Sequence, residues 1–478
     1  MAGVRDVRRG TPIRKAAALG AALLMGGCAH VLTAPPGPSC APFMTAYTPQ
    51  PFATAPVESG SRTTLDEVLD HKVARRATEM AAPGGASSPA ATPLTLDVLV
   101  LSGGGSYGAY GAGFLTGLYG AGSGAPPDAA TALKDYDFIS GVSTGAIMTT
   151  YVWGAVVEAR AGIDPGANRG LKDLSTLYDV TDKDLFRTQS ALAALLFSNG
   201  LYDPRGLLES RVRDAVTAYA PLLRSDTSSD KVEVGAVNLT NGRFYSFNLK
   251  GLVNAPGPVG LTCYSDAILA SSAIPLAFPP RFIDGYPYYD GGVRFLAYFD
   301  DMIRALRRRA DRRDIMLNIT LIVNGSQSAN EAGDDAAAAL ACDSASLAET
   351  SKVCPPVSNS LIGSLSGGDK GLVPRTVEDI MVQQLKVDAV SRIYDDWRTS
   401  GYPGNFRYTY IPNSELAAPP PGAGVNGACQ APKGSTAQFD PAFMKCLFAI
   451  GRYNGASGAW VRQEFQSRQQ ATANAATR

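Results

Sequence analysis

Hydrophobic positions along this chain follow two periods that take turns. Leu94–Leu101 (LTLDVLVL), Tyr136–Ile139 and Asp314–Val323 (DIMLNITLIV) are largely apolar runs bounded by turn-forming residues. Such runs suit strands buried on both faces of a parallel sheet. Lys231–Asn238 and Arg243–Asn248 predict a strand pair around a turn containing Asn241-Gly242, and Tyr286–Tyr289 and Phe406–Ile411 predict further short strands. Between them lie helical stretches. Thr64–Met80 repeats Leu65, Val68, Leu69, Val73 and Ala77 at helical spacing, and small residues fill Ala109–Tyr119. Ala146–Val157, Tyr264–Ser272 (stopped by Ile274-Pro275) and Pro441–Tyr453 also predict helices. Arg375–Trp397 is amphipathic, with Val377, Ile380, Met381, Leu385, Ala389 and Ile393 on one side. Strand, glycine turn, helix, repeated, is βαβ logic, so the expected fold is α/β, with helices flanking a mostly parallel sheet.

The remaining stretches carry little periodicity. Val31–Gly60 holds seven prolines between Pro35 and Pro56 and reads as an extended tether. Ala81–Pro93 is a second loose stretch, Ser326–Ser360 a surface insertion, Pro412–Gln438 a loop and Arg468–Arg478 a polar tail. The chain has no internal repeat.

Composition adds few constraints. Of 478 residues, 45% are hydrophobic and 18% charged, which is ordinary for a globular protein. Basic and acidic residues balance at 43 each, and the one dense basic run, Arg304–Arg313, reads as a solvated helix face. Nucleic acid therefore has little electrostatic support as a partner. The N-terminus is more telling. Arg5, Arg8, Arg9, Arg14 and Lys15 precede an apolar run, Ala16–Met25, followed by Gly26-Gly27-Cys28. This is the layout of a signal peptide over residues 1–27, too short in its apolar part to span a bilayer. Leu24-Met25-Gly26-Gly27-Cys28 also resembles a bacterial lipoprotein lipobox, with Met25 departing from the usual branched residue. That resemblance implies lipidation at Cys28, a lipid anchor in the membrane and, with Ala29 next, sorting to the outer membrane or periplasmic side of a Gram-negative cell. An ordinary secretory cleavage site is the alternative. Six other cysteines permit disulfides, and Cys342/Cys354 and Cys429/Cys446 would close the shortest loops, among fifteen possible pairings. No spacing suggests a structural metal.

Chemistry concentrates in three glycine-bearing turns. Phe138-Ile139 run into Gly141-Val142-Ser143-Thr144-Gly145, ahead of a helix, which is the layout of a nucleophile elbow. Gly141 and Gly145 are required there because a Cβ on either side of the cramped turn would clash. Gly103-Gly104-Gly105 can bring backbone amides close to a reacting carbonyl, as an oxyanion hole does. Asp290-Gly291-Gly292 ends a strand and offers a carboxylate. A Ser-His-Asp triad would need an imidazole, yet the chain holds only His30 and His71, both upstream of Leu94. Asp290 is the best remaining base for Ser143. Gly103, Gly105 and Gly108, with Asp128 downstream, also spell a dinucleotide fingerprint. In that reading the elbow and Asp290 have no job. A P-loop lacks its Gly-Lys-Ser/Thr, so neither a nucleotide nor another cofactor is expected.

GGGSYG at Gly103–Gly108, GVSTG at Gly141–Gly145, SSAIPLAFP at Ser271–Pro279 and DGG at Asp290–Gly292 occur in this order. Together, over roughly Leu94–Val323, they resemble the patatin-like phospholipases. The resemblance implies a three-layer α/β/α fold and a metal-independent lipid acyl hydrolase acting on lipid or phospholipid. It assigns Ser143 as nucleophile, Asp290 as base and Gly103, Gly104 and Gly105 as oxyanion hole. It frames a catalytic domain over 94–464, after a lipidated tether and short helix over 28–93, with a tail from 465. The family often carries Arg or Lys where this chain has Tyr107, so the hole is expected to lack a nearby cation. A catalytically silent lipid-binding or assembly lipoprotein on the same fold is the alternative. Ser271-Ser272 is expected to shape the pocket wall, and Ser102 and Ser140 to sit in turns.

Overall fold

The computed structural model describes residues 39–47, 67–74, 94–120, 131–188, 202–228, 230–275, 277–299, 315–326, 375–400, 402–430 and 439–461. Five strands run parallel at the centre of its sheet: β6 (Lys231–Asn238), β3 (Phe138–Gly141), β2 (Leu94–Leu101), β10 (Ile315–Ile322) and β11 (Phe406–Thr409), in that order across the sheet. Antiparallel strands extend the β6 side, namely β7 (Phe244–Asn248) and β1 (Met44–Tyr47), with β9 (Tyr286–Asp290) pairing β6 and β8 (Arg281–Ile283) pairing β9.

The apolar run of β2 explains why two layers of helices are needed. Leu99 and Leu101 point into one core, with α2 (Gly108–Gly120), α3 (Thr144–Arg160), α5 (Leu208–Arg224), α7 (Val259–Ser271) and α9 (Pro441–Ser457). Leu96, Val98 and Val100 point into the other, with the helix at residues 67–74 and α8 (Arg375–Ser400). Successive strand residues face opposite sides, so a strand apolar at every position must be covered twice. The architecture is α/β/α.

How β6 is shared matters for everything that follows. Glu233 and Val234 pair with both β3 and β7, while Ala236 and Val237 pair with both β7 and β9. A strand has two edges, so β3 and β9 must lie end to end on the same edge of β6. β3 stops where Gly141 meets Val234, and β9 arrives from the other direction with Asp290 opposite Ala236. The end of one strand therefore faces the end of the other across a single residue, Gly235.

The N-terminal stretch departs from expectation. Part of the Pro-rich tether, residues 39–47, is built into the body: β1 forms the sheet edge against β7, in register Met44↔Phe247. Asp284, in the β8–β9 turn, accepts hydrogen bonds from the amides of Cys40 and Ala41, each 2.9 Å long. Cys40 is disulfide-bonded to Cys263 of α7, a pairing that the spacing did not suggest, and Cys429–Cys446 forms as expected. Of the Thr64–Met80 helix, residues 67–74 are described and helical, with Val68 and Leu69 buried. The signal peptide, Cys28, His30, the arginine run, Cys342, Cys354 and the polar tail lie outside the described residues. Among the described residues no helix is long and apolar enough to cross a membrane.

Cys40 and Cys263 stand 223 positions apart, so their bridge closes a very long loop in the unfolded chain. Replacing both with serine should lower unfolding stability by about 2–4 kcal/mol. Denaturant unfolding without reductant reads this directly, and an unchanged midpoint and slope would show that the bridge does not constrain the unfolded chain.

Candidate active site

The turn after β3 is as cramped as its sequence implies. Val142 donates its amide to Leu101 O (3.2 Å), and Ser143 follows at φ 55°, ψ −125° before α3 begins at Thr144. A Cβ on Gly141 would lie 2.6 Å from Gly145 O, and one on Gly145 would overlap Leu101 O. A non-glycine residue at positive φ costs about 1–3 kcal/mol and persists only where its surroundings over-determine it. Two hydroxyls do so here. Ser271 Oγ accepts the Ser143 amide (3.1 Å) and donates to Gly235 O (2.6 Å). Ser272 Oγ donates to Ser143 O (3.2 Å) and to Ile268 O (2.9 Å). The Ser-Ser pair expected to wall the pocket instead clamps both sides of the Ser143 peptide.

Asp290 reaches the same place from β9. Its amide donates to Ala273 O (2.9 Å), its Oδ1 accepts the Gly292 amide (2.7 Å), and the Ser143 hydroxyl stands close enough to favour its ionised form. The carboxyl is only 4% exposed. Loss of water pushes its pKa up to about 7, and the Ser143 hydroxyl and the Gly292 amide hold that rise back. A carboxyl tuned to neutrality beside a hydroxyl is suited to take and return a proton near physiological pH.

His71 is the one histidine among the described residues, and it stands at the wrong end of the sheet. Its neighbour Lys72 pairs with Asp137 (2.5 Å) at the start of β3 and donates to Thr95 O near the start of β2. Ser143 lies beyond the opposite end of both strands. An eight-residue strand is about 25 Å long, so no imidazole from this helix reaches Ser143.

The first glycine turn needs one correction. Gly103 donates its amide to Leu296 O (2.7 Å), so it has no N–H left for a reacting oxygen. Its part is steric: a Cβ there would sit 3.2 Å from Ser143 Cβ and 3.3 Å from Leu296 Cδ1. Gly104 and Gly105 differ, because among the described residues no group accepts their amides. Gly104, at φ 157°, passes so close to Asn324 O that a Cβ would overlap it. Gly105, at φ 55°, opens the short 3₁₀ turn Gly105–Tyr107, and a Cβ there would meet nothing within 4 Å. Asn324, just past β10, fastens this turn from behind through its amide to Ser102 Oγ (2.8 Å) and its Nδ2 to Ser102 O (2.6 Å). Ser102 is thus a latch, and Ser140 lies within β3, donating to Tyr298 O (2.6 Å).

A cation does stand near this turn. Among the described side chains of α8, Ala389 and Ile393 of the predicted side are buried, joined by Val390 and Lys386, while Leu385 is half-buried. Lys386 Nζ lies 5.2 Å from the centre of the Tyr107 ring. A lysine in the apolar stripe of an amphipathic helix was the available signal. Asn324, an amide-bearing residue right after an apolar strand, was another.

Residues 99–297 match the family model described as Patatin-like phospholipase. Two solved structures are similar to the chain at low identity. One is VipD from Legionella pneumophila, with 12% identity, TM-score 0.22, and 48% of this chain matched to 50% of that one. The other is the type III effector protein ExoU, with 15% identity, TM-score 0.20, and 65% matched to 60%. The chain thus spans about half to three fifths of those proteins' lengths. No curated protein matches it.

Ser271→Ala tests the clamp. It strands the buried Ser143 amide and the Gly235 carbonyl, and each buried group left unpaired costs about 1–3 kcal/mol. Chemical denaturation should show a loss in that range, and a loss under about 0.5 kcal/mol, ordinary for a surface substitution, would mean that the clamp is not used.

Proposed function

On the premise that residues 99–297 form a patatin-like phospholipase domain, we propose that this protein hydrolyses carboxylic esters of lipids through a Ser143–Asp290 dyad and an acyl-serine intermediate. One observation carries the reading: a carboxyl stripped of water stands beside the hydroxyl of the strained serine, while His71 stands at the other end of the sheet.

The steps follow from those positions. Asp290 takes the hydroxyl proton as Ser143 Oγ bonds to the ester carbonyl carbon. The carbonyl oxygen becomes an anion and is received by the amides of Gly104 and Gly105 and by the positive end of α3. Collapse breaks the ester C–O bond, and the departing alkoxide takes its proton from Asp290. Water then gives a proton to Asp290 and attacks the acyl carbon. The fatty acid leaves, and Ser143 recovers its proton. No cofactor enters. Among the described residues, no group of three His, Cys, Asp or Glu side chains gathers into a metal site.

Ser143→Ala should abolish hydrolysis of p-nitrophenyl butyrate and labelling by a fluorophosphonate probe while the protein stays folded. Full activity would sink the elbow as the site, and a folded wild type that never labels would leave a lipid-binding protein instead. Asp290→Asn should be nearly as severe. Because Asp290 works ionised, kcat/KM should rise about tenfold per pH unit below neutrality and level off above about pH 7. Stability runs the other way. The folded pKa is raised, so this group's stabilising contribution is full below about pH 4 and is lost as pH climbs through 7. Above pH 7 Asp290→Asn should therefore unfold at a higher temperature than wild type, and an equal or lower temperature would contradict a buried ionised carboxyl.

The substrate would be met at a membrane. The basic segment and apolar run ahead of Cys28 support an exported protein anchored through a lipid on that cysteine, on the outer-membrane or periplasmic side of a Gram-negative cell. Cys28→Ala should move the protein from the membrane to the soluble fraction. A mature mass without acyl groups would point to ordinary secretion.

A further inference from the structure

Most of the buried stripe of α8 has a packing role. Ala389, Val390 and Ile393 join the apolar cluster of Leu96, Val98 and Val100 under the sheet. Lys386 continues the stripe toward the catalytic edge and is just 1% exposed. Lysine stems are commonly buried with the ammonium reaching water, but here the head group is buried as well. It lies 5.2 Å from the centre of the Tyr107 ring, where the ring's negative face attracts it. The same ring meets Phe443 edge-on, with centres 5.5 Å apart. Tyr107 closes the 3₁₀ turn that Gly105 opens, donating its amide to Gly104 O (3.0 Å). Six residues along α8, Arg392 Nη2 donates to Ala297 O (2.6 Å), next to the Leu296 carbonyl that holds Gly103. One helix therefore grips the oxyanion turn and the segment it rests on.

We infer that Lys386 is a positioning residue for this hydrolysis: its ammonium, acting through Tyr107, fixes the Gly104–Gly105 amides and sets a positive field on the oxygen that becomes an anion. The cation that the first glycine motif lacks in sequence is supplied from 279 positions downstream. A methionine would fill nearly the same volume without the cost of burying a charge, so packing alone does not account for lysine. In a water-poor site a fixed charge acts over longer distances than in solvent. The negative oxygen exists only in the transition state and intermediate, so the effect belongs in kcat rather than KM.

This inference rests on the Ser143–Asp290 reading, and the experiment separates the two. Wild type, Lys386→Met and Lys386→Arg are assayed on p-nitrophenyl butyrate, a neutral ester, with competent sites counted by fluorophosphonate titration at Ser143. Counting sites removes any loss caused by unfolding. Lys386→Met should lower kcat per titrated site about tenfold or more, with KM changed less than about threefold and the fluorophosphonate acylation rate falling in parallel. Lys386→Arg should recover most of that loss, since it keeps the charge and the contact with the ring. An unchanged kcat in Lys386→Met overturns the inference alone. So does a KM-only effect, or an arginine variant no better than methionine. A wild type that is folded but unlabelled overturns the dyad, and this inference with it.

Discussion

Holding a serine at φ 55° beside a carboxyl from which water has been removed is the constraint on which the other parts of this structure depend. Neither condition is stable by itself. The backbone angle is disfavoured for any residue with a Cβ, and a buried carboxylate lacks solvation. Each is tolerated because neighbouring elements leave no alternative. Two serine hydroxyls from the end of α7 bracket the Ser143 peptide, the Gly292 amide bonds to Asp290, and the Ser143 hydroxyl beside the carboxyl favours its ionised form. The glycines at 103, 141 and 145 then let three backbone segments come closer than side chains would allow.

These demands fall together where β3 ends inside the sheet, and the topology explains why. β3 and β9 abut on a single edge of β6, so the first leads into Ser143 and the second ends at Asp290. Catalytic groups at the carboxyl ends of parallel strands are common in α/β folds. Here an antiparallel strand delivers the base into the gap left by a short parallel one. The N-terminal strap reinforces that arrangement from outside. Cys40 is bonded to α7, which carries Ser271, and Asp284 of the β8–β9 turn, which precedes Asp290, holds the strap's amides. A segment whose composition reads as a free tether therefore braces both scaffolds of the site.

Much of this was legible from residues in a row. Largely apolar runs in β2 and β10 revealed a sheet covered on both faces, and the glycine-flanked Ser143 announced its own strained turn, because those signals arise from local sterics and period. The scarcity of histidine narrowed the candidate bases for Ser143 to Asp290. Less was visible in Ser271, Ser272 and Asn324, whose hydrogen bonds run to backbone more than a hundred positions away. The Cys40–Cys263 bridge escaped for the same reason, since short spacing favours near pairs only in the unfolded chain. Gly103 looked like its two neighbours, and only the approach of Leu296 O removes its amide from use.

Sequence by itself therefore determined which residues are candidates for the chemistry, the order of strands and helices along the chain, and the positions where a side chain could not be tolerated. These follow from the chemistry of single residues and from periods read within a dozen positions. The tertiary structure alone decided which amides stay free, which hydroxyls hold the elbow and which cation stands behind the oxyanion turn. Burial and pairing depend on what the rest of the chain brings alongside. Lys386 is one more charge on an amphipathic helix until folding seals its ammonium against Tyr107.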